Sequence, residues 1–179
     1  MITENELKKI SQLKTPNKVV GLFEIPEPEG ILNEGLILAL DDINDPGNLG
    51  TMIRLCDWFG IEQIVCSKDT VDCFNHKVVQ ATMGSLARVR ISYVDLFSYL
   101  EQATVPIFVA DMDGENLYKT NLPNSGIVVM GNEANGISSA ILKLKSTCIS
   151  IPRYGSIKQT ESLNVATATA IILSEFKRN

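Results

Sequence analysis

The sequence predicts an α/β fold: a parallel sheet with helices on both faces. Two observations carry that prediction. From residue 36 onward, short apolar runs alternate with segments whose apolar residues recur at helical spacing. Strands that alternate with helices imply crossover connections, and crossovers join parallel neighbours in a sheet covered on both sides.

The elements follow in order. "LILALDD" (36–42) is apolar enough for a buried strand. "NLGTMIRLCDWFG" (48–60) has helical spacing and ends on glycine. "IEQIVCS" (61–67) reads as a strand, "NHKVVQATMGS" (75–85) as a helix and "ARVRISYV" (87–94) as a strand. "DLFSYLEQA" (95–103) opens on an N-cap aspartate and reads as a helix. "VPIFVADM" (105–112) and "GIVVMGN" (126–132) are strands on either side of a loop. "SSAILKLK" (138–145) is a helix, "CISIPR" (148–153) a strand and "SLNVATATAIILSEFKR" (162–178) a helix. The first 35 residues break the rhythm. They read as a short helix, "ELKKISQL", a strand, "KVVGLFEIP", and a polar linker, "PEPEGILNEG". That strand is either an edge strand or the tail of another domain.

Composition narrows the function. The chain has 179 residues, 45% hydrophobic and 21% charged, with a formal net charge of −5. An acidic balance argues against binding nucleic acid through bulk positive charge, while leaving room for a local basic patch. No apolar run approaches the roughly 18 residues of a membrane span. The N-terminal segment has no signal-peptide core, so a cytoplasmic location is expected. Four cysteines, Cys56, Cys66, Cys73 and Cys148, form no CxxC pair, and there is one histidine, His76. Zinc is therefore not expected, and the thiols are expected to be reduced and mostly buried.

Ligands of open α/β sheets bind beyond the carboxyl ends of the strands, which directs attention to three loops. "DDINDPGNLGTMIR" turns through Pro46 and Gly47 into a helix near Asn48, with Gly50 offering close backbone approach to a ligand and Arg54 within the next two turns. "VVMGNEANGIS" carries Glu133, which either caps the next helix or lies beside a bound ligand. "IPRYGSIKQTESLNVATATAII" crowds polar residues into one connection, where Ser162 reads as an N-cap. No GxGxxG or GxxxxGK[ST] phosphate cradle occurs, which leaves little for a nucleotide-dependent oxidoreductase. The one histidine lies outside these loops, so no Ser-His-Asp set arises. What remains is a metal-free site of Arg, Glu, Asn and Ser. Such a site suits transfer from a pre-activated donor, where positioning and charge stabilisation supply the rate.

Taken in order, "DPGNLGTMIR", "VMGNEANGI" and "IPRYGSIKQTESLNVATATAI" resemble the three motifs of the SpoU (TrmH) family of SPOUT methyltransferases, over about residues 36–178. The resemblance implies a C-terminal deep trefoil knot, S-adenosylmethionine (AdoMet) as methyl donor, an RNA ribose 2′-hydroxyl as acceptor (ribosomal or transfer RNA), and a homodimer. It places Arg54 at the family's catalytic arginine, Asn48 in the first motif, Glu133 in the second, and Ser162 and Asn164 in the third. Adenosine would be held largely by backbone around Met130, Gly131 and Asn132, at Ile151 and Pro152, and at Leu163. Three departures stand out: Arg153 replaces the usual methionine, the loop "YGSIKQTE" is about three residues longer, and Ala166 replaces a serine. The first 35 residues look like the end of a preceding ribosomal-protein-like RNA-binding domain, so residues 36–179 are expected to form the methyltransferase domain. A non-catalytic RNA-binding or ribosome-assembly factor on the same fold is the competing expectation.

Overall fold

A computed structural model of the chain describes residues 2–11, 13, 15, 18–27, 30–155 and 162–178. Six strands form one sheet: β1 (Leu36–Asp41), β2 (Gln63–Ser67), β3 (Arg90–Val94), β4 (Ile107–Asn116), β5 (Gly126–Gly131) and β6 (Thr147–Ser150). Their spatial order is β3-β2-β1-β5-β4-β6, and every neighbouring pair is parallel. All six carboxyl ends therefore open onto one edge of the sheet.

Side chains alternate across a pleated strand, and β1 is buried on both faces. Leu36, Leu38 and Leu40 point to one core with α2 (Pro46–Phe59), α3 (His76–Thr82) and α6 (Val165–Phe176). Ile37 and Ala39 point to the other core with α4 (Leu96–Glu101) and α5 (Ser139–Leu142). The predicted doubly covered parallel sheet is what the chain forms. At the far end of α6, Phe176 meets Phe108 of β4 edge-to-face, with ring centroids 5.1 Å apart. That contact seats α6 on the sheet.

Several expectations need correction. The N-terminal helix, α1 (Glu4–Ile10), is present with a capping box between Thr3 and Glu6. The expected strand that follows is not: the described residues 18–27 form no strand, and Leu22 and Phe23 are 100% and 87% exposed. β4 is longer than expected and runs to Asn116, with an irregularity in its pairing to β6 between Ala110 and Glu115. The helix expected over 138–145 is four residues long. α6 begins at Val165, so Asn164 is its N-cap and Ser162 lies two residues outside. Residues 156–161, most of the lengthened third loop, lie outside the described residues.

Candidate active site

The site is assembled at the carboxyl ends of β1 and β5 and the start of α6. β1 ends at Asp41, and Asp42 turns the chain with φ 58°, a left-handed conformation that aspartate tolerates better than most residues. Ser67 at the end of β2 and Thr70 just beyond it anchor this turn. The Asp42 N–H donates to Ser67 Oγ at 2.9 Å and the Ile43 N–H to Thr70 Oγ1 at 3.3 Å. Asp45 then caps α2: its Oδ1 accepts the Asn48 N–H at 2.8 Å, with Pro46 at the first helical position. The cap fixes Asn48 in the first turn, where its side chain faces the neighbouring loops.

Gly131 ends β5 in register with Asp41. A Cβ on Gly131 would lie 2.5 Å from the Gly136 backbone, so only glycine lets the loop fold back this closely. The fold-back is closed by the Gly136 N–H donating to the Asn132 carbonyl at 2.8 Å. The Asn132 side chain is committed to the same loop. Its Oδ1 accepts the Ala134 and Asn135 N–H groups at 2.8 and 3.0 Å, and its Nδ2 donates to the Asp42 carbonyl at 2.8 Å. Any contact from Asn132 to a cofactor therefore falls to its backbone. Glu133 follows. It does not cap the next helix, whose N-cap is Ser138.

One hydrogen-bonded relay joins the three motifs. Asn164 Nδ2 donates to Asn48 Oδ1 at 2.9 Å, and Asn48 Nδ2 donates to Glu133 Oε1. The spans are 116 and 85 residues along the chain, so no local preference produces them. The carboxylate at one end fixes the direction of both amides, because Glu133 accepts only. At the other end, Asn164 Oδ1 accepts the Thr167 N–H at 3.1 Å as the cap of α6. A shallow groove runs beside the relay between α2 and α6, lined by Asp45, Thr51 and Leu55 on one side and Asn164, Thr167 and Ala170 on the other.

The other expected site residues surround this relay without joining it. Arg54 is exposed on α2 two turns beyond Asn48, and no hydrogen bond or ion pair engages it among the described residues. Met130 is buried in β5 beside Leu40 of β1. Ile151 and Pro152 are half-buried after β6, while Ser162 and Leu163 are exposed just before α6. Gly50 is not at the ligand edge. It is buried where α2 crosses α3, and its role is close helix packing. Asp45, Ser67 and Thr70 were missed as supports of the site. Asp-Pro at the start of a helix was the available sign for Asp45, whereas Ser67 and Thr70 carry no local sign.

The thiols fit the structural expectation. Cys56, Cys66 and Cys73 are buried and Cys148 is half-buried, all four free. Burial pushes the Cys56 and Cys66 thiols well above their usual range, which keeps them protonated and unreactive. Among the described residues, no group of three or more His, Cys, Asp or Glu side chains is placed to hold a metal ion, and no helix is long and apolar enough to cross a membrane.

Known proteins resemble this chain over most of its length. The model of the SpoU rRNA Methylase family matches residues 35–174. A 23S rRNA (guanosine(2553)-2′-O)-methyltransferase of Bacillus subtilis is 31% identical over 97% of this chain and 70% of its own length. An AdoMet-bound rRNA methyltransferase from Sinorhizobium meliloti superposes with a TM-score of 0.74 at 32% identity, over 80% of this chain and 56% of that one. The SpoU methyltransferase AviRb of Streptomyces viridochromogenes, in complex with AdoMet, gives 0.84 at 26% identity over 99% and 71%.

Proposed function

The chain belongs to the SpoU rRNA Methylase family, and on that premise we propose that it transfers a methyl group from AdoMet to a ribose 2′-hydroxyl of ribosomal or transfer RNA. The observation that carries the reading is the relay from Asn164 through Asn48 to Glu133. It brings one polar side chain from each of the three motifs together at a single edge of the sheet.

The residues present fit AdoMet. Gly131 lets the loop after β5 fold back on itself, and the half-buried Ile151 and Pro152 with the exposed Leu163 would offer apolar contact. Backbone at Met130, Gly131 and Asn132 would hold the adenosine together with those residues. Bound there, AdoMet supplies an electrophilic methyl group on a sulfonium. Asp42 and Glu133 give the same edge a negative lining that suits a cation.

The remaining work falls to the protein. A guanidinium is not deprotonated in proteins, so an arginine serves as a cation and not as a base. The Arg54 guanidinium, unengaged by the described residues, holds an RNA phosphate and stabilises the alkoxide that develops on the ribose. Glu133, Asn48 and Asn164 hold one another rigid, with Ser162 at the mouth of the third loop, so that donor and acceptor meet in line. In the transfer the ribose oxygen would gain the methyl group as its bond to sulfur breaks, S-adenosylhomocysteine would leave, and the hydroxyl proton would pass to solvent water.

Three further features belong to the same reading. The chain leaves β6 at one edge of the sheet and returns at Asn164 beside Asn48, which supports threading of a trefoil knot. The apolar Leu55 and Ala170 along the groove between α2 and α6 support contact with a second copy, giving a homodimer. Residues 36–179 would form the methyltransferase domain, and the protein would work in the cytoplasm.

Calorimetric titration with AdoMet tests the proposal. Micromolar binding by the wild-type chain should survive Arg54→Ala and weaken in Asn164→Ala. No binding by the wild-type chain would remove the donor site, and a non-catalytic RNA factor would then be the better reading.

A further inference from the structure

We propose that Asp41 is a positioning residue for the loop that carries Glu133, acting through one hydrogen bond to the backbone N–H of Ser138. The inference rests on the reading of the site given above. Asp41 is the last residue of β1 and only 8% exposed, in a strand whose other residues are all apolar and buried. A carboxylate at such a position is costly unless hydrogen bonds satisfy it. Asp41 Oδ2 accepts the Ser138 N–H at 2.8 Å, across 97 residues of chain.

The bond closes a frame. Asp41 is paired with Gly131 where the loop leaves β5, and its carboxylate holds Ser138 where the loop enters α5. Entry and exit of the loop are therefore fixed by one residue. Between them, Asn132 ties the loop to itself and to the Asp42 carbonyl. Glu133 sits inside this frame, reaching Asn48 from it. Ser138 gains nothing from its own side chain, which makes no capping bond to α5, so the Asp41 carboxylate is the partner that holds the start of that helix. Without it the Ser138 N–H is left unpaired, the loop loosens, and Glu133 loses its fixed distance from Asn48.

The test compares Asp41→Ala, Asp41→Asn and Ser138→Pro. Proline suits position 138, where φ is −57° and ψ 141°, and it deletes the same bond from the donor side. Backbone amide exchange over residues 134–138 should accelerate about tenfold or more in Asp41→Ala. For methyl transfer, kcat/KM should fall about 10- to 100-fold, with the KM for AdoMet raised. Asp41→Asn keeps an acceptor oxygen and should recover most of the loss. Ser138→Pro should reproduce it, and the double variant with Asp41→Ala should lose no more than either single change. Exchange and kcat/KM of Asp41→Ala within twofold of wild type would overturn the proposal. So would an Asp41→Asn variant no better than Asp41→Ala, or single effects that multiply. If the wild-type protein neither binds AdoMet nor methylates RNA, the reading of the site falls, while the exchange rates still decide whether the frame exists. If Asp41→Ala does not fold, Ser138→Pro and Asp41→Asn decide the question.

Discussion

The two ends of the Asn164 amide do different things. The oxygen caps α6 and the nitrogen feeds the relay to Asn48. Asn164→Asp separates the tasks. An aspartate keeps the capping oxygen and adds a charge that the helix N-terminus favours, but offers no donor to Asn48. Its melting temperature should match or exceed wild type while methyl transfer falls at least about tenfold, the loss of one oriented charge-linked contact. Asn164→Ala loses both tasks and should also lose about 1 kcal/mol of stability. Equal melting losses in the two variants would refute this division. Asp57 behaves differently, because its role is structural. Arg88 donates to it through Nε and Nη2, and Ser85 Oγ donates at 2.7 Å. These bonds, Arg88 first, hold the Asp57 carboxyl below its ordinary value of 3.8. A depressed value in the folded state means that the contribution is fully present above the unfolded value and disappears as pH falls through the folded one. Asp57→Asn should therefore flatten the acid limb of a stability–pH curve below about pH 3.8 and leave its slope at neutral pH unchanged; denaturant melts at several pH values read it directly.

α2 and α3 approach closely enough that the contact dictates a residue. A Cβ on Gly50 would lie 2.4 Å from Ala81 Cβ. Gly50→Ala improves helix propensity by about 1 kcal/mol, yet overpacking costs about 1–3 kcal/mol, so the variant should melt lower. Adding Ala81→Gly should restore part of the loss, and a double-mutant cycle by thermal melting measures the coupling. Gly50 shows why some of this molecule was legible in the sequence and some was not. Buried strands such as β1 and β5 announce themselves by unbroken apolar runs, and the three motifs mark the site by residue type and order. A glycine in a helix looks the same whether a ligand or another helix lies against it. The start of α6 was ambiguous for a similar reason, since Ser162 and Asn164 are both good caps, and the choice is made by Asn48, 116 residues away. "KVVGLFEIP" has the apolar content of a strand, but a strand needs a partner edge, and the described chain gives it none.

As a whole, the molecule carries a net negative charge, as a polyanionic substrate does. The net charge of −5 opposes RNA at long range, so binding would have to come from local cations, the role proposed for Arg54. A filter-binding titration near physiological salt should give an affinity for RNA weaker than micromolar; a sub-micromolar value would show an unrecognised basic surface. If the homodimer forms, sedimentation equilibrium at tens of micromolar should return twice the 19.6 kDa chain mass. A monomer at that concentration would exclude the second copy from the site.

The relay also orders events during synthesis. Asn48 emerges early, Glu133 much later, and Asn164 later still. A ribosome that has made everything through β6 has produced the whole sheet and two of the three relay side chains, but the Asn48 oxygen still faces water. The last contact closes only when α6 arrives. Chains released before that point would lack this contact and also Ile172, Leu173 and Phe176 of the core, so on the proposed reading a complete core and a complete relay arrive together, with the last helix to be translated.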